Sequence, residues 1–198
     1  MYRTSETDTE RVLCIEKILE DIPGGGVVDP DDFKTTTTTM LEGTVLGKDA
    51  NGIYHVFKTA KLQANAADDA TDYRVIKGHE FVVGDVIVDS GLAGASQTIT
   101  AITTTEDDYD TLTVGTTLGH AIVAGESIVQ STEEAVAGAA TLYVTPAGIA
   151  TNSVDLTKDN QGCGIMIRGT VNESLLPYPI DTLVKAYLKD ERAYIIFK

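Results

Sequence analysis

Tryptophan is absent from this 198-residue sequence, and aromatic residues together make up only 6% of it. Aromatic rings are the usual surfaces on which proteins stack sugars and bases, so few such anchors are available. Basic residues are also scarce: 15 Lys and Arg stand against 30 Asp and Glu, which gives a formal charge of −15. Because phosphate binding relies on clustered Lys and Arg, we expect neither nucleic acid nor an anionic membrane as a partner.

Cysteines and long apolar runs are scarce as well. Cys14 and Cys163 lie far apart and belong to no CxxC pair, so the sequence indicates no disulfide framework. Residues 1–10 are polar and acidic, unlike a signal peptide, and no apolar run is long enough to predict a membrane span. We therefore expect a chain that folds in a reducing cytoplasm, with one domain or two small ones.

The N-terminal region, residues 1–39, is predicted to hold a short helix and an extended docking arm. Apolar residues between Thr9 and Ile22 recur at three- and four-residue steps, which favours one helical stripe that Pro23 and three glycines then end. This helix either packs on its own domain or serves oligomerisation or docking. Five consecutive threonines follow, in a segment typical of an extended arm. The candidate docking or oligomerisation residues are Val12, Ile15, Leu19, Ile22, Thr35, Thr36, Thr37, Thr38 and Thr39.

The rest of the sequence predicts a mainly β fold. A β body covers residues 40–76 and 132–198, and a small SH3-like β-barrel is inserted at residues 77–131. An internal echo marks the barrel: FVVGDVIVDS resembles AIVAGESIVQS, and each copy has a Gly–acid turn before a short strand. Chance similarity between two strand–turn–strand units is the alternative. Residues 181–189 have helical spacing, with Asp181 as the N-cap.

No catalytic constellation is recognisable in the sequence. His55, His79 and His120 are isolated, and no zinc-protease, nucleophile-elbow or phosphate-loop motif occurs. Cys163 has no histidine base that the sequence could assign to it. We therefore predict no enzyme activity, no catalytic residue and no cofactor.

Acidic residues cluster in three places. Their carboxylates offer oxygen ligands that suit Ca²⁺, but none of the clusters has the spacing or the glycine of an EF-hand. Solvated turns are the favoured interpretation, so we predict no metal site. The clusters are residues 29–32, 68–72 and 106–110.

Three runs of the body carry a recognisable pattern: LEGTVLGKDANGIYHVFKTAKL, KGHEFVVGDVIVDS and ITAITTTEDDYDTLTVGTTLG. Together with RGTVNESLLPYP and the closing apolar strand, they resemble tailed-bacteriophage head-fibre and head-decoration proteins, above all those of phages infecting gut Bacteroidales. The resemblance spans residues 41–198. Its motifs are turns and strands, and no functional side chain anchors it.

The resemblance implies a protein of the outer capsid surface, usually a trimer, that ties capsid subunits together or carries a projection. It implies the major capsid protein as partner, and the virion as location after assembly in the host cytoplasm. An N-terminal arm is the usual contact with the shell, but the N-terminal helix has no counterpart in the family pattern, so either could dock. The alternative function is a phage surface or tail module that recognises host glycans through Tyr54, Tyr73 and Tyr109.

Overall fold

The fold is mainly β, as predicted. The computed structural model describes residues 14–158, 161–190 and 193–198, and within them no helix is long and apolar enough to cross a membrane.

The helix α1 (Thr182–Tyr187) is capped by Asp181 as predicted, since Asp181 Oδ1 accepts the N–H of Val184 at 3.1 Å. Two 3₁₀ turns cover Pro30–Asp32 and Glu173–Leu175. The strands are β1 Ile15–Asp21, β2 Gly26–Val27, β3 Thr39–Met40, β4 Val45–Lys48, β5 Tyr54–Val56, β6 Thr59–Lys61, β7 Asp72–Ile76, β8 Val86–Asp89, β9 Gln97–Thr103, β10 Tyr109–Val114, β11 Ser127–Ser131, β12 Pro146–Ala150, β13 Val154–Asp155, β14 Gly162–Cys163, β15 Ile165–Val171 and β16 Tyr194–Phe197.

Two six-stranded sheets form most of the structure. The first has the order β1-β15-β12-β4-β5, with β16 pairing in parallel with β15. The second is antiparallel with the order β6-β11-β8-β9-β10-β7. One bridge between Leu62 and Val75 joins its outer strands, but the sheet is not closed, so the SH3-like barrel stays a prediction. β6 and β7 belong to the second sheet, although the sequence placed residues 40–76 in the body.

β8 and β11 lie side by side and are buried on both faces. Ile87 and Ile128 belong to a core enclosed by the second sheet. Their neighbours Val88 and Val129 belong to a core that both sheets share, where they join first-sheet residues such as Ile149. Because side chains alternate along a strand, these two strands form a common wall between the two cores.

The internal echo corresponds to a repeated turn directly ahead of β8 and β11. Gly84 and Gly125 hold the same place in each turn, with φ of +100° and +90°, a conformation that glycine adopts without steric strain. The acid after each glycine accepts a backbone N–H from three residues earlier, at 2.9 and 2.8 Å: Asp85 from Val82, and Glu126 from Val123. The sequence repeat therefore encodes one turn geometry used twice.

The predicted N-terminal helix is wrong where the structure describes it, because residues 15–21 form the strand β1. β1 pairs antiparallel with β15, so that Ile15 lies opposite Val171 and Ile18 opposite Gly169. Three register shifts along this pair allow apolar residues to occur at spacings that a helix also shows. The partner strand comes from the other end of the chain and leaves no local signal. Residues 9–13 lie outside the described residues.

The segment 27–39 is not a free extended arm, contrary to the prediction. Val28 and Phe33 are buried in a core with residues of β4, β5 and β15. The segment ends in β3, which pairs with β13. The apolar residues on either side of the Asp-Pro-Asp-Asp turn therefore hold it against the first sheet.

Gly169 allows β1 to approach β15 closely, and its replacement tests that pairing. A Cβ at Gly169 would overlap the carbonyl oxygen of Lys17 on β1 and the sulfur of Met166. We expect Gly169→Ala to lower the free energy of unfolding by about 2 kcal/mol, as overpacked sites do. Gly162→Ala is the matched control, because its Cβ would meet nothing within 4 Å. Urea-unfolding midpoints measure both variants, and equal midpoints would contradict the described approach of the two strands.

Candidate docking surface

Three of the four residues predicted as an N-terminal docking stripe are among those that the structure describes, and one of these three faces solvent. Leu19 is 61% exposed, whereas Ile15 packs against the shared core and Ile22 against the core around β4 and β5. Val12 lies outside the described residues. Ile18, which the predicted stripe did not include, is 48% exposed. The structure thus presents Ile18 and Leu19 together instead of the predicted set.

β1 is an edge strand of the first sheet. Among the described residues it pairs only with β15, so its outer side offers backbone N–H and C=O groups to a further strand. Exposed ion pairs join Glu16 to Lys198 at 3.1 Å and Glu20 to Arg168 at 3.4 Å. Such pairs contribute at most about 1 kcal/mol each, so backbone pairing holds the strand. We call the outer side of β1, with Ile18 and Leu19, the β1 edge.

The five threonines at 35–39 do not act as one unit. The hydroxyl of Thr37 donates to a Glu80 carboxylate oxygen at 3.0 Å, and Thr39 lies in β3. The exposed members are Thr35, Thr36, Thr38 and Thr39. Thr37 and Thr39 are therefore bonded to the rest of the fold, and four of the five threonines, Thr39 among them, are open to solvent.

The Glu80 carboxylate joins three parts of the chain. It accepts the backbone N–H of Lys34 at 3.0 Å, the hydroxyl of Thr37 and the phenol of Tyr178 at 3.0 Å. Burial and the Glu80 charge raise the pKa of Tyr178, which keeps the phenol protonated as a donor. Burial lowers the pKa of the Lys34 ammonium. Because Glu80 is buried, losing one of these donors would leave a charge less well compensated.

The residues that the sequence analysis considered for catalysis lie in different environments. Cys163 is buried, and burial raises the pKa of its thiol to about 11, which keeps it protonated. His120 is exposed. His79 is buried; its Nδ1 accepts the backbone N–H of Phe81 at 3.1 Å, and its Nε2 lies 3.1 Å from Asp110 Oδ2. The Nδ1 contact requires a neutral ring with its proton on Nε2.

Sequence reasoning missed a buried contact between Asp32 and His55. Asp32 Oδ2 lies 2.9 Å from His55 Nδ1, and each residue is 8% exposed. Asp32 is therefore not the solvated turn acid that was predicted, and burial raises the pKa of its carboxyl. The two residues are 23 positions apart, and no motif spacing predicts a contact at that separation.

Two of the three tyrosines suggested for glycan stacking are inside the protein. Tyr54 is 3% exposed and Tyr73 is fully buried. Tyr109 is half-buried, and the Arg74 guanidinium lies over its ring, 5.4 Å from the centre. Sugar stacking would therefore rest on Tyr109 alone among these three residues.

Thr37→Val tests whether Glu80 holds the threonine segment to the fold. The variant keeps the shape of the side chain but removes the hydroxyl donor, so we expect a loss of about 1 kcal/mol in unfolding free energy. Thr36→Val is the control, because Thr36 is the exposed neighbour in the same run. Urea unfolding should separate the two variants. Equal stabilities would show that the Glu80–Thr37 contact contributes nothing.

The neutral, buried state of His79 predicts a dependence of stability on pH. Burial, together with the nearby Lys34 charge, lowers the pKa of His79 to about 4, whereas an unfolded histidine titrates near 6.5. The unfolded chain therefore binds a proton first, and stability falls by about 1.4 kcal/mol per pH unit as pH drops below about 6.5. Urea midpoints between pH 7 and pH 5.5 should show a slope that His79→Gln reduces and His120→Gln leaves unchanged. If the slope persists in His79→Gln, other titratable groups cause the pH dependence.

Comparison of this chain with known proteins leaves its family open. No family model, no curated protein and no solved structure matches it. Its function is therefore inferred from its residues and their geometry.

Proposed function

We propose that this chain is a structural, non-enzymatic virion protein that binds the outer surface of a bacteriophage capsid. There it decorates or stabilises the shell, or carries a head projection. Its proposed partners are the major capsid protein and two further copies of itself in a homotrimer. The resemblance of residues 41–198 to head-fibre and head-decoration proteins supports this assignment.

The observation that carries the proposal is the β1 edge. A free strand edge can bind another chain through backbone hydrogen bonds, which demand little of the partner's sequence. Ile18 and Leu19 add exposed apolar side chains to the same strand. Proteins usually protect such an edge, because an unpaired strand invites association. A docking partner that covers β1 satisfies both the backbone groups and the apolar side chains.

The charge of the chain favours the capsid protein over a second copy as the partner of this edge. Each chain carries −15 overall, although at β1 the acids Glu16 and Glu20 are paired with Lys198 and Arg168. Association with a second copy would bring two strongly acidic chains together, whereas a neutral or basic capsid surface avoids that repulsion. A trimer that engages three capsid sites at once gains avidity from individually weak contacts.

Leu19→Asp tests the proposed docking. Wild-type protein should co-sediment with capsids prepared without it, and electron microscopy should then show added density on the shell. We expect Leu19→Asp to weaken binding by at least about tenfold, because it buries a charge in an apolar contact. Val136→Asp is the matched control: Val136 is the more exposed, at 76%, but lies beside the second sheet.

Three outcomes would contradict the proposal. Wild-type protein that fails to bind capsids would exclude the decoration role. Equal binding by Leu19→Asp and wild type would exclude the β1 edge as the docking surface. Light scattering should give a trimer for wild type and for both variants, and a strict monomer would exclude the homotrimer.

A further inference from the structure

Asp29, Asp32 and His55 bring three potential metal ligands to one point. The chain after Val28 lies along β5, because Val28 forms a bridge with Tyr54 and the N–H of Asp29 donates to the Tyr54 carbonyl at 2.9 Å. Asp32 Oδ2 and Asp29 Oδ2 then lie 2.9 and 3.9 Å from His55 Nδ1. All three ligand atoms are within 4.8 Å of one another.

Backbone N–H groups fix the orientation of both carboxylates. Asp29 caps the 3₁₀ turn: its Oδ1 accepts the N–H of Asp31 at 3.0 Å, which leaves Oδ2 on the side of His55. Asp32 Oδ2 accepts the N–H of Val56 at 3.2 Å. Ligands of bound metals are commonly oriented by such outer hydrogen bonds.

An ion pair between Asp32 and His55 would neutralise only part of the local charge. Asp49 places another carboxylate oxygen 3.8 Å from His55 Nε2. The neighbouring cation, Lys58, is already paired with Asp85 at 2.9 Å. A cavity of about 370 Å³ beside the cluster has four carboxylates in its wall: Asp29, Asp31, Asp32 and Asp85. The four carboxylates of the cavity wall face one lysine in that wall, Lys58, an excess of negative charge that a cation would neutralise.

Gln130 adds a buried acceptor to the wall of the same cavity. Its Nε2 donates to Asp85 Oδ1 at 3.0 Å, which fixes the amide, and its Oε1 has no hydrogen-bond partner among the described residues. Buried acceptors are normally paired, so an unpartnered one indicates a missing donor or cation. The cavity wall therefore carries more acceptors than donors.

We propose that Asp29, Asp32 and His55 bind one divalent transition-metal cation, Zn²⁺ or Mn²⁺. Bonds of about 2.1 Å place ligand atoms about 3 to 4 Å apart, and the separations of 2.9 and 3.9 Å fall in that range. One imidazole nitrogen with two carboxylate oxygens suits these ions, whereas Ca²⁺ takes oxygen ligands. Ligation by Nδ1 leaves the imidazole proton on Nε2, on the side of Asp49, where metal-bound histidines usually meet a carboxylate.

The proposed ion would add a link between two parts of the chain. It bridges the 3₁₀ turn of the N-terminal segment and β5 of the first sheet. Because its ligands come from both, ion binding should stabilise the folded chain by RT ln(1 + c/Kd), which grows with the logarithm of the ion concentration c. This site goes beyond the proposed capsid role, and it can be tested on the purified chain without a capsid.

Calorimetric titration of the tag-free full chain, first treated with EDTA and dialysed, tests the site. We expect one saturable site for Zn²⁺ or Mn²⁺, a weaker response to Ca²⁺, and a rise in Tm with the bound ion. Asp29→Asn keeps an amide oxygen to cap the turn but removes the charge, so metal affinity should fall by at least about tenfold. His55→Gln should abolish binding. The controls Asp68→Asn and His120→Gln change an exposed acid and an exposed histidine, and they should bind as wild type does.

Clear results would overturn the proposal. Absence of a saturable site for Zn²⁺ and Mn²⁺ would do so, as would Ca²⁺ binding of equal strength. Loss of binding in His120→Gln would place the metal elsewhere. If Asp29→Asn and His55→Gln lower the Tm of the metal-free chain but leave metal binding unchanged, the cluster is a structural ion pair only.

Discussion

The common wall formed by β8 and β11 is the constraint on which the rest of the structure depends. Alternate residues of each strand pack into different cores, Ile87 and Ile128 on one side, Val88 and Val129 on the other. A strand buried on both faces cannot shift by one residue without exchanging its two sets of contacts. A Gly–acid turn lies directly ahead of each of the two strands and fixes where that strand begins.

Buried polar contacts add a second constraint between the two sheets. Lys58 lies where the chain passes from β5 to β6, and its ammonium pairs with Asp85 in the turn before β8. Buried ion pairs contribute little net stability, but breaking one leaves an uncompensated charge. Glu80 acts in the same way on the threonine segment and on Tyr178. These contacts therefore select one arrangement of the sheets over others that bury similar apolar area.

What the sequence could predict was local. The mainly β fold, the repeated turn and the Asp181 cap each depend on residues a few positions apart, and all three are found in the structure. The interpretation failed where a distant partner decides the outcome. β1 is a strand because β15 pairs with it, and Thr37 is held because Glu80 lies opposite, 43 positions away.

The same distinction between local and distant contacts applies to the candidate sites. Leu19 was a predicted docking residue and is exposed, but its grouping with Ile18 depends on β1 being a strand. The contact of His55 with Asp32 depends on the path of the N-terminal segment along β5, which no residue pattern near either side chain encodes. Catalogues of isolated histidines and acidic runs cannot reveal such a pair.

The common wall also has a thermodynamic consequence. β8 and β11 line both cores. Opening either core therefore exposes apolar side chains of both. The two sheets should therefore melt as a single cooperative unit, without a state in which one is folded alone. A ligand bound to one sheet then stabilises the other sheet without contacting it. A contact made at β1 or β5 would therefore also stabilise β10.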